Sequence, residues 1–436
     1  MRFVSTRGHA PATSLSAAIA AGLAPDGGLY VPQALPAPRT WQALPTLAQT
    51  AAQVLAPFFD GDALAPALPA ICSQAFDFPV PLRPLARRGD HVLELFHGPT
   101  AAFKDIGARF LAAALARRTP QSGASQPVSP LTILVATSGD TGAAVAAAFH
   151  GQPGLRVVVL YPDGRVSPRQ AHQLGCFGGN VQTLRVAGSF DDCQALVKQA
   201  LSDEALQRQV ALSSANSISL GRLLPQMSYY AHAALLHAQA GGAPLNLVIP
   251  TGNLGNAMAA ILARAIGLPI GRIVLSTNAN DVLPRYFAGQ PYVHQDSVAT
   301  AANAMDVGAP SNFERLRWLF NEDDAALRTT FEAHAVDDVD IRATITAAFK
   351  REREIFCPHT ATAACVLDRL RAQGAGGEWA VVATAHPAKF ESVVEPLLGQ
   401  PVAVPPSLAA LLRRPARAEP MAADYAALCA VLQRPA

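Results

Sequence analysis

The segment LTILVATSGDTGAAVAAAF, residues 131–149, carries the strongest indication of the fold. Its first part, Leu131 to Thr137, is a short apolar and β-branched run of the kind typical of a buried strand. The tight turn SGDTG follows, and then AAVAAAF, which is rich in strong helix formers. LRVVVLYP (Leu155 to Pro162) is the next strand, so this region predicts a strand–helix–strand unit with parallel strands.

The same order of elements recurs further along the chain. LNLVIP (Leu245 to Pro250) predicts a strand that leads into TGNLGN and a helix from about Ala257 to Ile266. Arg272 to Asn278 and Trp379 to Thr384 are further strand candidates, and a turn and helix follow the second. The whole pattern predicts an α/β protein with parallel sheets.

Local signals mark helix starts and linkers. Ser189, with Asp192 three residues later, has the spacing of a capping box. TPQSGASQPVSP (Thr119 to Pro130) predicts a loop, and AQAGGAP (Ala238 to Pro244) predicts a boundary between two lobes.

Composition places the chain among globular proteins of two or three domains. It has 436 residues, of which 50% are hydrophobic and 15% charged, far from the composition of disorder. The formal net charge of +2 does not favour a nucleic-acid partner. The six cysteines lack the spacing of a zinc site, so we expect reduced thiols and no metal. We also expect a cytoplasmic protein with no membrane contact, because no long apolar run is present and the N-terminus resembles folded protein.

PTGNLGNAMA (Pro250 to Ala259) is the first of three turns that favour an anion. Gly252 and Gly255 permit close approach of the backbone to a ligand, and free amides at a helix start attract phosphate. Asn253 and Asn256 add side-chain amides. The alternative is a strand–helix turn without a ligand, and the spacing is neither that of a dinucleotide fingerprint nor that of a P-loop.

The other two turns contain hydroxyl groups. ATSGDTGAAV places Thr137, Ser138, Asp140 and Thr141 at a helix start, where they suit a carboxylate. Taken alone, this turn favours simple capping by Ser138 or Asp140.

SSANSISLGRLLPQ brings together Asn216, Ser217, Ser219 and Arg222, which suit a phosphate. The alternative there is a polar loop with a solvated arginine.

Lys104 is unusual because it lies in the apolar segment ELFHGPTAAFKDIGARF. Burying an unpaired lysine is costly, so its stem lies along a surface or its amine has a chemical role. The segment alone leaves both readings open.

These motifs together resemble the threonine synthase family, in its bacterial and fungal branch. The resemblance rests on FVSTRG, GLAPDGGLYVP, HGPTAAFKD, ATSGDTGAA, SSANSISLGRLLPQ, PTGNLGN, TNANDVLPR, NAMDVGAPSN and TAHPAKF, which occur in this order up to about Leu398. It implies a pyridoxal-phosphate enzyme of fold type II, similar to tryptophan synthase β, with two open parallel-sheet lobes and an N-terminal segment. The expected division is an N-terminal segment packed on the large lobe (1–90), a smaller α/β lobe (91–237), a large α/β lobe (238–400) and a helical tail (401–436).

The resemblance also implies residues that hold the cofactor. Lys104 would form the Schiff base and act as the acid–base group, Phe103 would lie against the cofactor, and Thr384 would meet the pyridine nitrogen. Asp140 is included among the cofactor contacts. The residues expected to cradle the cofactor phosphate are Gly252, Asn253, Leu254, Gly255 and Asn256.

On the substrate side, the resemblance implies one site for a carboxylate and one for a phosphate. The carboxylate region would be held by Thr137, Ser138, Asp140 and Thr141, and the phosphate by Asn216, Ser217 and Arg222. The family often has asparagine at the position of Ser219, so this chain departs from the pattern there. His386 is expected to be structural. Lys389 is expected to be either solvated or paired with an acidic group.

The implied reaction converts O-phospho-L-homoserine and water to L-threonine and phosphate, the last step of threonine biosynthesis. Such an enzyme is a carbon–oxygen lyase that acts on phosphates, and we expect a monomer or homodimer. The alternatives are a related phospholyase or a serine/threonine dehydratase, each of which gives a keto acid, and a non-catalytic amino-acid-binding protein.

Overall fold

The strands confirm the predicted α/β organisation. The structure, a computed structural model, describes residues 1–117 and 130–434, so the predicted loop Thr119 to Pro130 lies outside the described residues except for Pro130. In chain order the strands are β1 (Phe3–Ser5), β2 (Tyr30–Pro32), β3 (Leu82–Pro84), β4 (Asp90–Glu94), β5 (Leu131–Ala136), β6 (Leu155–Pro162), β7 (Val181–Ala187), β8 (Leu212–Ser214), β9 (Leu245–Pro250), β10 (Ile270–Thr277), β11 (Glu332–Ala335), β12 (Trp379–Ala383) and β13 (Glu419–Ala422).

Helices connect most of these strands. They are α1 (Leu15–Ala21), α2 (Leu47–Leu55), α3 (Leu68–Ala75), α4 (Lys104–Ala116), α5 (Asp140–Phe149), α6 (Pro168–Gly175), α7 (Phe190–Ser202), α8 (Glu204–Gln207), α9 (Leu220–Leu223), α10 (Met227–Gln239), α11 (Gly255–Ala265), α12 (Val282–Phe287), α13 (Phe313–Leu319), α14 (Asp324–Thr330), α15 (Asp338–Glu352), α16 (Pro358–Ala372), α17 (Glu391–Leu398), α18 (Pro406–Leu412) and α19 (Tyr425–Leu432). Among the described helices, none combines the length and the apolar character needed to cross a bilayer.

The smaller of the two main sheets has the strand order β13-β7-β6-β5-β8, and all of its pairs are parallel. Its central strand β6 is buried on both faces, as expected for a parallel sheet covered by helices. Val157 and Val159 face the main core, whereas Val158 and Leu160 face a second core formed with α7 and α19. Because successive side chains of a strand point to opposite faces, β6 contributes to the cores on both sides of the sheet.

The larger sheet has the order β11-β10-β9-β12-β4-β3 and is parallel except where β3 pairs with β4. On β9, Leu247 and Ile249 face the main core, and Val248 faces a separate core beneath α15 and α16. A two-stranded antiparallel sheet, β1-β2, lies in the N-terminal segment.

Several predicted elements are confirmed at or near their expected bounds. β6 and β9 match their predictions residue for residue, and β10 begins two residues earlier than expected, at Ile270. Ser189 and Asp192 form the predicted capping box, with the Ser189 hydroxyl accepting from the Asp192 amide. The six cysteines are free thiols, in agreement with the expectation from their spacing.

Two segments join a different sheet from the one that the expected domain bounds implied. β4 pairs with β12 in the larger sheet, and β3 pairs with β4, although residues 91–94 fall within the range expected for the smaller lobe. The expected helical tail contributes β13, which pairs with β7 of the smaller sheet. Pairing with β7 gives hydrogen-bond partners to backbone groups that would otherwise bond to water. Because the two strands are far apart in the sequence, no local pattern predicts this pairing.

Candidate active site

Five loops that carry the predicted site residues all follow the carboxyl ends of parallel strands. β4 leads to Lys104, β5 to Ser138, β8 to Asn216, β9 to Gly252 and β12 to Thr384. In open parallel sheets this edge is where ligands bind, because loops and helix N-termini converge there. The predicted site residues therefore lie at the carboxyl edges of both main sheets, although they come from separate parts of the sequence.

Lys104 begins α4, directly after Phe103 at the cap position. Burial lowers the pKa of Lys104 to about 8; Asp140 opposes this effect, and the nearby cations Arg222 and Lys389 add to it. A lysine in such surroundings keeps a fraction of its amine neutral and nucleophilic near neutral pH. Of the two readings left open by the sequence, the one based on amine chemistry is favoured.

Asp140 and Lys389 form a buried ion pair beside Lys104. The Lys389 side chain is 0% exposed, and its Nζ lies 2.8 Å from Asp140 Oδ1. Gln170 Nε2 donates to the same carboxylate oxygen at 3.0 Å. Burial alone would raise the pKa of Asp140, but the ammonium groups of Lys389 and Lys104 hold it well below its usual range. Asp140 is thus an anion fixed in place, and Lys389 is paired rather than solvated.

The Lys389 ammonium also joins two further segments to this pair. Its Nζ donates to the Thr100 carbonyl at 2.7 Å, and the Thr100 hydroxyl donates to Asp105 Oδ1 in the first turn of α4. The nearby His359 accepts from the Ala304 amide through Nε2, and burial lowers its pKa to about 4 despite the attraction of Asp140. His359 is therefore a neutral, structural histidine at neutral pH.

The turn from Thr137 to Thr141 is not capped by either residue that the sequence favoured for capping. Gly139, which has no side chain, occupies the N-cap position of α5. Thr137 Oγ1 instead accepts from the amides of Gly139 at 3.0 Å and Gly142 at 2.8 Å. The buried Thr137 hydroxyl thus shapes the turn from within, while Ser138 and Thr141 stay partly accessible.

The turn after β9 has an unusual backbone and an unpartnered donor. Leu254 has a φ of 62°, in the left-handed region, and α11 begins at the next residue. Asn256 Oδ1 accepts from the hydroxyls of Tyr229 and Tyr230 at 2.5 and 2.7 Å, which fixes the orientation of its amide. Its Nδ2 is buried without a partner among the described residues. A buried donor of this kind indicates a ligand or a water.

Close packing holds the start of this turn. A side-chain Cβ at Gly252 would lie 3.0 Å from the Met305 Cα, so only glycine fits comfortably. Asn253 Oδ1 accepts from the backbone amide of Ser311 at 3.2 Å, and the Asn253 carbonyl accepts from Asn312 Nδ2 at 2.8 Å. The segment that follows Pro310 therefore fixes the turn from outside.

The third turn contains a buried arginine with free bonding capacity. Arg222 Nη1 donates to the Ala215 carbonyl at 2.6 Å, whereas its Nε has no partner within the described part of the chain. Burial lowers the pKa of Arg222 to about 10, which leaves it charged at neutral pH. The nearby Ser219 hydroxyl is also buried and unpartnered. The alternative of a solvated arginine is wrong, because Arg222 is 2% exposed.

Asn216 and Ser217 lie on the same turn, and both are partly accessible. α4 approaches this turn closely, since a Cβ at Gly107 would meet the Arg222 carbonyl oxygen at 2.7 Å. The small residue at Gly107 therefore brings the helix that begins with Lys104 against the backbone of Arg222.

Thr384 lies beside the segment that leads to Lys104. Its carbonyl accepts from the Phe103 amide at 2.8 Å, next to a bridge between Ala102 and Ala385. The Thr384 side chain is buried, and its hydroxyl bonds to no described residue. His386 Nδ1 accepts from the Ala388 amide at the start of the following turn, which supports the structural role expected for His386.

These residues fit pyridoxal phosphate, which needs an amine for its carbonyl carbon, donors for its phosphate and a partner for its ring nitrogen. Lys104 would supply the amine, and the glycine turn with the Asn256 amide, unpartnered among the described residues, would supply donors for the phosphate. The Thr384 hydroxyl would be the partner for the ring nitrogen.

Sequence reasoning missed three buried polar residues around the site: Gln170, His359 and Arg315. Each acts through tertiary contacts with segments far away in the chain, for which one sequence contains no local signal. Lys389 did have a signal, because it lies between Ala388 and Phe390 in an apolar stretch, much as Lys104 does.

Comparison with known proteins places the chain in a family. The family model for pyridoxal-phosphate dependent enzymes matches residues 79–388. The models for the threonine synthase N terminus and the threonine synthase C-terminal region match residues 2–76 and 360–432. Threonine synthase from Haemophilus influenzae is 40% identical over 96% of both chains, and that from Escherichia coli is 38% identical over 98% of both.

Solved structures agree with this placement. The crystal structure of threonine synthase from Escherichia coli has a TM-score of 0.88 and 37% identity over 99% of both chains. The pyridoxal-phosphate-bound threonine synthase from Brucella melitensis has a TM-score of 0.87 and 33% identity, again over 99% of both chains.

Proposed function

The chain belongs to the threonine synthase family of pyridoxal-phosphate-dependent enzymes with fold type II, and on this basis we propose that it converts O-phospho-L-homoserine and water to L-threonine and phosphate. One observation supports a phosphorylated substrate above all. Two separate turns near Lys104 each hold a buried, unpartnered donor, Asn256 Nδ2 and Arg222 Nε. One such site suffices for the cofactor phosphate, so the second suits a phosphate on the substrate. A serine or threonine substrate has a carboxylate but no second anionic group for this site.

Lys104 is the residue we propose for proton transfer. When bound, the cofactor supplies an electron sink for negative charge that develops on the substrate carbons. With a pKa of about 8, about a tenth of the Lys104 amine is neutral at pH 7. The amine is thus able to take a proton, and its ammonium form is able to return one at a neighbouring carbon.

The substrate carboxylate is assigned to the N-terminus of α5. Ser138 and Thr141 are partly accessible there, and the helix dipole favours an anion. Asp140, expected at first in the same role, is an anion already held by Lys389, and like charges repel. We therefore keep Asp140 on the cofactor side, where its charge faces Lys104, and assign Thr137 the role of shaping the turn.

The substrate phosphate is assigned to Asn216, Ser217 and Arg222. The Arg222 guanidinium is charged and oriented by the Ala215 carbonyl, so it binds a dianion with little loss of side-chain entropy. The buried Ser219 hydroxyl is one turn from Arg222 and supplies a further hydrogen bond. On the cofactor side, Phe103 and Leu254 are the proposed apolar neighbours, with Gly252 to Asn256 around the phosphate.

We also propose a cytoplasmic location, which the six free thiols support, and a monomer or homodimer as the oligomeric state. The division into residues 1–90, 91–237, 238–400 and 401–436 remains a proposal, and limited proteolysis of the purified chain tests whether cleavage occurs near these bounds. Sedimentation measures the oligomeric state in the same preparation.

The proposal is tested by incubating the cofactor-loaded enzyme with O-phospho-L-homoserine and measuring phosphate, threonine and keto acid in the same samples. We expect equal amounts of phosphate and threonine from the wild type and from Lys198→Ala, a control at an exposed lysine. Lys104→Ala should lose both products. Phosphate accompanied by keto acid would assign the enzyme to the phospholyases, and absence of phosphate from the wild type would contradict the substrate assignment.

A further inference from the structure

Arg315, near the start of α13, is a buried arginine that bonds to two distant parts of the chain and to Asn312 just before its own helix. It is 1% exposed. Its Nε donates to the Tyr30 carbonyl in β2 at 3.0 Å, its Nη1 to Asn312 Oδ1 at 2.6 Å, and its Nη2 to the Ile218 carbonyl at 2.5 Å. The planar guanidinium presents its donors in a fixed fork, so these bonds fix the relative positions of the three segments.

Asn312 extends this arrangement to both phosphate turns. With its Oδ1 held by Arg315, its Nδ2 donates to the Asn253 carbonyl at 2.8 Å and to the Ser217 carbonyl at 3.4 Å. Asn253 belongs to the turn proposed for the cofactor phosphate, and Ser217 to the turn proposed for the substrate phosphate. One amide group therefore lies between the two turns and touches both.

The Arg315 guanidinium forms no ion pair among the described residues, and the neighbouring Glu314 carboxylate acts on its charge only through space. All three of its hydrogen bonds end on uncharged oxygens, and no carboxylate forms an ion pair with it within residues 1–117 and 130–434. Burial lowers its pKa to about 9, so it is still a cation at neutral pH. An unpaired buried cation is costly unless an anion is present nearby. Two adjacent turns that each take a phosphate meet this requirement.

We propose that Arg315 and Asn312 are positioning residues that hold the cofactor-phosphate turn and the substrate-phosphate turn in one common arrangement, with β2 of the N-terminal segment as the fixed support. The identity of the two anions rests on the proposed function. Neither residue is assigned a contact with the reacting atoms. Loosening the pair weakens the binding of both phosphates together, because the same Nδ2 group contacts both turns.

The test uses two variants and a matched control in the full-length holoenzyme. Asn312→Asp is isosteric; one carboxylate oxygen keeps the contact with Arg315, while the other meets the Asn253 and Ser217 carbonyls without a proton to donate. Arg315→Lys keeps the positive charge and loses the fork. Arg317→Gln, on the same helix, removes only half-exposed ion pairs with Glu322 and Asp324. Thermal unfolding verifies that each variant is folded.

Two dissociation constants are measured: that of pyridoxal phosphate by equilibrium dialysis, and that of inorganic phosphate by calorimetry on the cofactor-loaded protein. Asn312→Asp should raise both about tenfold or more, since hydrogen bonds to charged or buried groups are lost on both sides. Arg315→Lys should raise both by less, and Arg317→Gln should change neither by more than about twofold.

An increase in only one of the two constants in Asn312→Asp, or in neither, would overturn the proposal, even if Arg315→Lys fails to fold. The proposed function fails by a different result. A wild type that binds both ligands but makes no threonine from O-phospho-L-homoserine would contradict the substrate, without affecting constants measured with pyridoxal phosphate and inorganic phosphate.

Discussion

Two neighbouring lysines with different surroundings, one fully buried and one partly accessible, lie at the candidate site. Lys389 is paired with Asp140 and bonded to the Thr100 carbonyl, so its charge is satisfied within the protein. Lys104 forms no ion pair or hydrogen bond through its amine within the described residues, and burial lowers its pKa to about 8 although Asp140 opposes the shift. The sequence predicted the role of Lys104 from an apolar segment and a resemblance. For Lys389 the sequence left two possibilities, a solvated or a paired ammonium. It could not decide between them, because the contact with Asp140 joins residues almost 250 positions apart.

The lowered pKa of Lys104 predicts how the stability of the apoenzyme depends on pH. The usual value of 10.5 applies to the unfolded chain and about 8 to the folded one, so between these pH values the unfolded chain binds more protons. Stability conferred by this group should therefore rise from pH 8 to pH 10.5, by up to about 3 kcal/mol. Urea unfolding of the wild type and of Lys104→Met measures the difference, and equal pH slopes in the two proteins would refute it.

Lys389→Met should destabilise the protein by about 3–5 kcal/mol, because it leaves the Asp140 carboxylate buried without its cation. The double variant Asp140→Asn/Lys389→Met removes both charges and should recover much of this loss. Chemical unfolding at pH 7 gives the three free energies of a double-mutant cycle. Additive effects of the two single changes would show that the pair is not coupled.

Among helices and strands, the bounds were predicted best for strands that are almost completely buried. β6 and β9 matched their predicted bounds because an apolar run between turn residues leaves little freedom in where the strand begins and ends. β13 was missed, since Glu419 to Ala422 has neither alternation nor β-branched residues and is a strand only because β7 lies beside it. The four-residue α9 was equally hidden, although it carries Arg222.

Gly107 controls the approach of α4 to α9. In Gly107→Ala, the new methyl group would lie 2.7 Å from the Arg222 carbonyl oxygen, so one backbone must move. We expect a loss of about 1–3 kcal/mol in unfolding free energy, larger than the gain of alanine in helix propensity. A shift between Lys104 and Arg222 should also lower kcat/KM for the phosphorylated substrate at least about tenfold.

The matched control is Gly178→Ala, where a Cβ meets nothing within 4 Å. This exposed position should tolerate the change with neither effect. Wild-type kcat/KM in Gly107→Ala would show that the close approach of the two helices does not position the site.

At the scale of the molecule, the site depends on segments from both ends of the chain. The N-terminal strand β2 supports Arg315 through the Tyr30 carbonyl, and the C-terminal β13 and α19 complete the smaller sheet and its second core. The sequence predicted two lobes and the loops that carry the site residues, because βαβ units and strand-end loops are local patterns. The assignment of β4 to the larger sheet and of β13 to the smaller one depends on pairing across the fold, which one sequence does not display.

The C-terminal segment should therefore contribute to the stability of the smaller sheet. Leu428 on α19 is 0% exposed in the core beneath that sheet, so Leu428→Ala should cost about 2–5 kcal/mol of unfolding free energy. Val339→Ala, at a residue that is 75% exposed, should change it by less than about 0.5 kcal/mol. Denaturant unfolding compares the two, and a cost at Leu428 as small as that at Val339 would mean that α19 is dispensable.

The central claim is that phosphate leaves a substrate carbon and that water adds to the neighbouring one, at a site built around Lys104. The most direct measurement is the reaction of the holoenzyme with O-phospho-L-homoserine in oxygen-18 water, followed by mass spectrometry of both products. The account predicts one labelled oxygen in threonine and none in the newly released phosphate, with the two products in equal amounts. Label in phosphate together with homoserine, or a keto acid in place of threonine, would contradict it.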